Sequence, residues 1–507
     1  MSKHRLPLIA AVVAFLIHLA GNPHYGFFRD ELYFIICGLH PAWGYVDQPP
    51  VVPLLAAVSQ LFGHSLLLLR AVPALFSGAS IYVTCLLVAE MGGGAFAQIL
   101  GALVAFFCPV LMNFGMKVST DMPGLLLWPL AALWILRLTR GADPRLWLAA
   151  GAALGIAFES KYSVLFFAAA MLIGLILTPQ RRILRTPWFA GGAALAIVIA
   201  APNVIWQAVH GFPMYTLLEN GAHGKNLAAG PLVYLLQEIL ITNLFLAPVW
   251  IVGLVYLFRV RPLLRFFGYA YVMLIAMMIV LHGKHYYPAD IYPIPIAAGA
   301  VAIAGWIERL VAIHTVVLAY AVIGGLAFLP FALPILPETQ MLAYQSALLR
   351  ALHLQRHTLA TERHRQQPQL PPDWADMHGW PQLAYDVRRI YDALPPATRA
   401  QTVVMAQNYG QASAISFFTP GVPVASGHNQ YWLWGARAIR QHRLTGENVI
   451  DLGGDCGRSR HLFESAERVG TFSAPYAMPS ENNLPIMLCR HLRVPIAQLW
   501  PHLQEYI

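Results

Sequence analysis

The sequence predicts a mainly α protein, a polytopic membrane bundle of about eleven spanning helices with an α/β domain at its C-terminal end. Three observations predict it. Only 11% of the 507 residues are charged while 58% are hydrophobic, whereas a soluble domain carries about 25% charged residues. Apolar runs long enough to cross a bilayer recur through the first two thirds of the chain. From about residue 334 onward the composition turns polar, with proline clusters such as "QLPP" and short β-like runs such as "QTVVMA".

A crossing helix needs about 20 mostly apolar residues, within a range of about 17–25. By that measure the spans lie near 6–21, 66–89, 96–112, 121–136, 146–160, 162–178, 188–206, 231–257, 266–281, 291–307 and 311–332. The first run follows Lys3 and Arg5 like the apolar region of a signal peptide, but the many later runs mark it as a retained span. The segment 51–62 ("VVPLLAAVSQLF") is too short and follows Pro49-Pro50, so it reads as a helix along the membrane surface. The stretch holding Asp30 reads the same way.

The basic residues test this count. With the N-terminus inside, one set of loops carries Lys3, Arg5, Arg137, Arg140, Arg145, Arg181, Arg182, Arg185, Arg259, Arg261, Arg265 and Arg309. The opposite loops carry Arg29, Arg70, Lys117, Lys161, Lys225 and Lys284. Twelve against six is the bias expected when cytoplasmic loops collect Lys and Arg. Counting 51–62 as a span would invert it. The division that follows is a transmembrane part over 1–333, an amphipathic linker over 334–372 and an extracytoplasmic α/β domain over 373–507. The net charge of +9 then reflects topology, and without a basic stripe interleaved with aromatics a nucleic-acid partner is excluded.

The five cysteines show no CxxC and no zinc spacing. Cys456 and Cys489 are the only two in the outer domain, where oxidising conditions let disulfides persist, so they are expected to pair. His282 and His285 would need a third ligand that the sequence does not name. No metal residue is assigned, and a divalent cation is the one cofactor left open. Most tryptophans, such as Trp43, Trp128, Trp188 and Trp250, read as interfacial belt residues. Trp432 and Trp434 read first as packing and second as sugar platforms.

The remaining ionisable residues converge. Asp30, Glu31 and Asp47 fall in the first outer loop, Lys117 and Asp121 in the second, Glu159 and Lys161 in the third, and Lys284, His285 and Asp290 in the fifth. Charges at span ends are costly and mark function or anchoring. Acids and cations gathered at one end of a bundle describe a cavity for chemistry. Group transfer from a lipid phosphate needs such a mixture: a carboxylate to take the acceptor's proton and cations to hold the departing phosphate. Asp30 or Glu31 suits the first role, and Lys161, Lys284 and His285 the second. On a helix the adjacent acids point about 100° apart, so one of them serves the reaction while the other ties down structure or a metal. A transporter or lipid flippase is the second reading. It expects repeat symmetry and polar residues near the midplane, and neither is visible. A membrane-tethered binding domain is a third reading, which leaves the first-loop motif without a role.

"FRDELYF", followed by "WGYVDQPPVVPLLA", resembles the bacterial relatives of protein O-mannosyltransferases. These form the glycosyltransferase family 39 group with the GT-C fold, which includes the lipid A aminoarabinose transferase. "STDMPG", "ESKYS" and "GKHYYPADIYP" are similar to later motifs of the group, in order. "WADMHGWPQLAYDV", "AQNYGQASAI" and "SGHNQYWLWG" resemble its C-terminal region. The resemblance implies an inverting transfer of a sugar from a polyprenyl-phosphate donor to an envelope glycan, lipid or protein, on the periplasmic side of the cell inner membrane. It implies Asp30 as base and Asp121 as a further catalytic acid, beside Glu31. It also implies Lys161, Lys284, His285 and Tyr286 as substrate contacts, to which the first outer loop adds Arg29 and Asp47. Aminoarabinose-type relatives read Lys-Pro-Pro where this chain has Asp47-Gln48-Pro49-Pro50, so a carboxylate stands in place of a cation.

Overall fold

A computed structural model describes residues 4–222, 229–355, 366–444 and 446–507. Lys3, Lys225 and part of the expected 334–372 linker lie outside the described residues. Helices occupy all eleven apolar runs, from Arg5–Gly21 to Val311–Leu326. Among the described residues four of them are by length and composition long and apolar enough to cross a membrane, Leu66–Glu90, Pro187–Val209, Pro262–Val280 and Ala289–Trp306, or five if Val164–Ile176 and the bent continuation Pro179–Arg185 make one span. The others are shorter. Ala95–Phe106 stops ahead of Pro109, which opens the separate helix Pro109–Phe114, since proline has no N–H and its ring clashes with the preceding turn.

One expectation needs correcting. The run 231–257 is not one helix but two, Pro231–Ile241 and Ala247–Arg259. Asn243 sits at the break with φ +79, a left-handed conformation that asparagine tolerates better than most residues. Its side-chain amide donates to the carbonyls of Phe107 (3.3 Å) and Gly324 (3.0 Å), tying the break to two other segments.

The first-loop motif forms the helix Arg29–Leu39, and Val51–Ser59 follows it. At 1.5 Å per residue both are far too short to span a bilayer. Glu31 sits in the first turn and its Oε2 accepts from the Phe28 amide at 2.8 Å, closing an otherwise unsatisfied donor at the helix start. At the other end, a Cβ on Gly38 would lie 2.1 Å from the Pro53 carbonyl oxygen. Only glycine lets the two short helices approach this closely.

The C-terminal region carries a five-stranded mixed sheet. Its strands are β1 (Thr402–Met405), β2 (Val424–Ala425), β3 (Asn448–Leu452), β4 (Phe463–Phe472) and β5 (Leu484–Leu492), in the order β2-β1-β3-β5-β4. β1 runs parallel to β2 and β3, while β5 is antiparallel to β3 and β4. The central strand β3 is buried at every position. This region does not stand apart from the bundle. Leu32, Ile35 and Ile36 of the first-loop helix share one hydrophobic core with Ala412, Ile415 and Phe417 of the helix Tyr409–Phe418.

Cys456 and Cys489 form a disulfide, as expected from the sequence. Closing a loop with a sequence separation of 33 stabilises a fold by roughly 2–4 kcal/mol, mainly by restricting the unfolded chain. Non-reducing peptide mapping should find the two cysteines linked, and Cys489→Ala should lower the unfolding midpoint. Two free thiols in protein isolated from its native membrane would count against the bond.

Candidate active site

Two helix starts and one loop build the first wall. Asp30 lies in the first turn of Arg29–Leu39, and its Oδ1 accepts a hydrogen bond from the Tyr409 hydroxyl at 2.8 Å. The Tyr33 hydroxyl, nearly one turn further along the same helix, donates to Asp47 Oδ1 at 2.9 Å. The rings of Tyr33 and Tyr409 lie 4.5 Å apart, inclined by 30°. The Asn429 amide donates to Asp47 Oδ2 at 3.1 Å, and the Gln430 amide N–H donates to the Tyr33 hydroxyl at 3.2 Å. Burial pushes Asp47 up to about 6, and the nearby Asp30 charge works in the same direction. Two carboxylates of the first loop are therefore held by hydroxyls and an amide, two of which come from the C-terminal region.

A cavity of about 180 Å³ opens against this wall. Asp47, Tyr409 and Asn429 line one side, Lys284 and Tyr287 another, and Leu217 and Leu218 supply apolar surface. Asp30 does not itself line the cavity. It is one hydrogen bond behind it, through Tyr409.

Lys161 and Asp121 stand behind Tyr287. Their side chains pair at 2.5 Å, and the Lys161 ammonium lies over the rings of Tyr287 (4.5 Å) and Tyr286 (5.3 Å). Asp121 immediately precedes the helix Gly124–Thr139, where a carboxylate suits the positive end of the helix dipole. His285 is buried, and burial together with the neighbouring Lys284 charge lowers its ring to about 4. It is therefore a neutral hydrogen-bonding group at ordinary pH. Among the described residues no three His, Cys, Asp or Glu side chains gather as a metal site.

Glu31 occupies a different environment from its neighbour. It is fully buried and pairs with the equally buried Arg70 at 2.9 Å. Its Oε1 also accepts from the Val118 amide at 3.1 Å, so one carboxylate ties the first-loop helix, the start of Leu66–Glu90 and the second loop together. Arg70 in turn donates to the carbonyls of Asn22, His24 and Gly26. Arg29 points the other way, toward Asp376 (3.4 Å) and over the Tyr409 ring (5.4 Å). Although burial works against its charge, Asp376, Tyr409 and Asp30 together raise its pKa.

Sequence reasoning missed the C-terminal contributors. Tyr409, Asn429 and Asp376 each fall in one of the three C-terminal motifs, which were singled out without being given a role. Lys117 also belongs to this joint. It pairs with Asp373 at 2.5 Å, and Asn113 donates to the same carboxylate at 2.8 Å. Burial alone would raise Asp373, but these donors hold it below its ordinary value. Trp432 and Trp434 pack as expected: Trp432 exchanges indole-to-carbonyl hydrogen bonds with Trp500, and Trp434 lies against His40 and Tyr431.

Residues 47–206 match the family described as dolichyl-phosphate-mannose-protein mannosyltransferase. That segment is about a third of the chain, and over it the chain is similar to that family. The matched segment contains Asp47, Lys117, Asp121 and Lys161, and the helix carrying Asp30 precedes it. A lipid A galacturonosyltransferase, RgtD of Rhizobium johnstonii, is 29% identical over 187 residues. That stretch is 36% of this chain and 39% of the relative, so less than half of the relative's length is matched. Two crystal structures share the fold of the whole molecule. ArnT from Cupriavidus metallidurans bound to undecaprenyl phosphate superposes at a TM-score of 0.61 with 16% identity. Its apo form superposes at 0.62 with 15% identity, and each match covers 95% of this chain and 97% of that one. The matched segment sits within an ArnT-like fold, a multi-helix membrane bundle joined to a C-terminal mixed sheet.

Proposed function

We propose that this protein is an inverting membrane glycosyltransferase. It moves a sugar from a polyprenyl-phosphate donor to a hydroxyl or phosphate on an envelope lipid, glycan or protein. The observation that carries the reading is the cavity itself. Its walls combine Asp47, and Asp30 through Tyr409, with the Lys284 ammonium. Inversion needs a base and a leaving phosphate on opposite sides of one anomeric carbon, and a carboxylate on one wall with a cation on another supports that reading. The name of the rhizobial relative supports transfer of a sugar to an envelope lipid, and the lipid phosphate bound in the ArnT crystal structure supports a lipid-linked donor.

Asp30 serves as the base. Lys284 holds the donor phosphate, with Tyr286 and neutral His285 beside it. Asp121 keeps Lys161 charged and aimed toward the aromatic pair, which makes Asp121 a positioning residue. Arg29 and Asp47 set the edge of the first wall, and Asp47 contacts the sugar or acceptor hydroxyls. The site faces the periplasm. In support, Arg137 and Arg140 gather with Glu90 at the end of their helix remote from Asp121, and the disulfide lies in the region that shares a core with the Asp30 helix.

The test is transfer by the purified full-length protein in lipid nanodiscs, offered a panel of polyprenyl-phosphate sugars and envelope extracts. It is paired with mass spectrometry of envelope lipids and glycans from a deletion strain and its parent. Lys284→Ala should lower kcat/KM by about ten- to hundredfold, with a higher donor KM, because a charge-assisted hydrogen bond contributes about 1.5–3 kcal/mol. No transfer from any such donor, with an unchanged envelope profile, would rule out the reading.

A further inference from the structure

We propose that Tyr409 relays the acceptor's proton to Asp30, which makes a residue of the C-terminal region part of the catalytic machinery. The inference rests on the glycosyl-transfer reading above. Tyr409 lines the cavity and Asp30 does not. The only hydrogen bond described between Asp30 and the cavity wall is the 2.8 Å bond from the Tyr409 hydroxyl. An acceptor hydroxyl seated in the cavity therefore has the phenol on its wall, with the part-exposed carboxylate one hydrogen bond away.

The phenol is fixed for such a task. Its ring packs against Tyr33 at 4.5 Å, tilted by 30°, and sits beneath the Arg29 guanidinium at 5.4 Å. Tyr409 opens the helix Tyr409–Phe418, whose start is capped by Asn408 accepting from the Gln411 amide at 3.0 Å. The Asn408 and Gln411 amides both donate to buried Glu481 at 2.8 Å, which locks this turn against the rest of the C-terminal region. Burial also raises the phenol well above its ordinary pKa, so it is neutral before and after the reaction.

The step balances as follows. The acceptor oxygen attacks the anomeric carbon and its proton passes to the Tyr409 oxygen. The proton already on Tyr409 moves to Asp30 Oδ1. A carbon–oxygen bond forms to the acceptor, and the bond to the donor phosphate breaks with its electron pair on the phosphate oxygen. The sugar phosphodiester carries one negative charge and the polyprenyl phosphate that leaves carries two, while Asp30 goes from charged to neutral. Tyr409 ends unchanged, and Asp30 later returns its proton to water.

The experiment uses the full chain in nanodiscs with Tyr409→Phe, Asp30→Asn and the double variant, checked by thermal unfolding. Tyr409→Phe keeps the packed ring and removes only the hydroxyl. Donor KM should stay within about threefold while kcat falls by about 10²–10⁴, the range for losing a positioned proton acceptor. The double variant should be no slower than the slower single variant, because residues that act as one unit are not additive. In single turnovers of wild-type protein in mixtures of light and heavy water, two protons in flight give a curved dependence on deuterium fraction. A linear dependence, a near-normal Tyr409→Phe rate, or independent multiplication of the two losses would each overturn the relay. So would an active Tyr409→Phe beside an inactive Asp47→Asn, since Asp47 would then take the proton directly. Wild-type protein that transfers nothing would sink the glycosyltransferase reading and the relay together, whereas an active wild type isolates the relay.

Discussion

Asp30→Asn is expected to leave a folded, membrane-inserted protein whose turnover falls by about 10²–10⁴, with donor KM nearly unchanged. The substitution keeps the size of the side chain and an oxygen that still accepts from Tyr409, now 2.8 Å away. It removes only the basicity. Because the carboxylate is part-exposed and lies near the partly exposed Arg29, no deeply buried charge is stranded and stability should hold. Sugar transfer by the purified variant measures kcat, and thermal unfolding in the same preparation measures the fold. Near-normal turnover would move the base elsewhere, and Asp47 is the next carboxylate in line because it lines the cavity directly.

Glu31→Gln is expected to do the opposite, although the residue is the immediate neighbour. Glu31 and Arg70 are both fully buried and paired at 2.9 Å. Breaking a buried pair by neutralising one partner strands the other charge and costs about 3–5 kcal/mol. The sequence leaves open which of the two adjacent acids ties down structure. The structure gives that part to Glu31 and makes the change a fold mutant, because the carboxylate also holds the amides of Phe28 and Val118. The yield of folded protein and the unfolding midpoint should drop sharply. Any protein that does fold should retain most of its turnover per molecule. A Glu31→Gln protein as stable as wild type would show that Arg70 finds enough compensation in the carbonyls of Asn22, His24 and Gly26.

The difference between these two neighbours marks the boundary of what the residues announce by themselves. The helical bundle was legible because hydropathy is a local property: a bilayer demands a run of apolar side chains, and every run predicted on that ground is helical. The break inside 231–257 was not, since Asn243 is held in its unusual conformation by carbonyls from two distant segments. The pairing of Cys456 with Cys489 was legible from compartment chemistry and elimination.

The gathering of acids and cations at one end of the spans could also be read along the chain, as could the presence of an acid pair at positions 30 and 31. Which acid faces the cavity could not. A helix turns adjacent side chains about 100° apart, but only the surroundings say which direction leads to Arg70 and which to Tyr409. Those partners lie far off in sequence, Arg70 by 39 residues and Tyr409 by 379. Tertiary folding alone brings the C-terminal motifs onto the first-loop helix. The physical reason is that their polar groups, Tyr409, Asn429 and Asp376, find their charged and hydrogen-bonding partners only after the hydrophobic faces of Arg29–Leu39 and Tyr409–Phe418 have packed into one core.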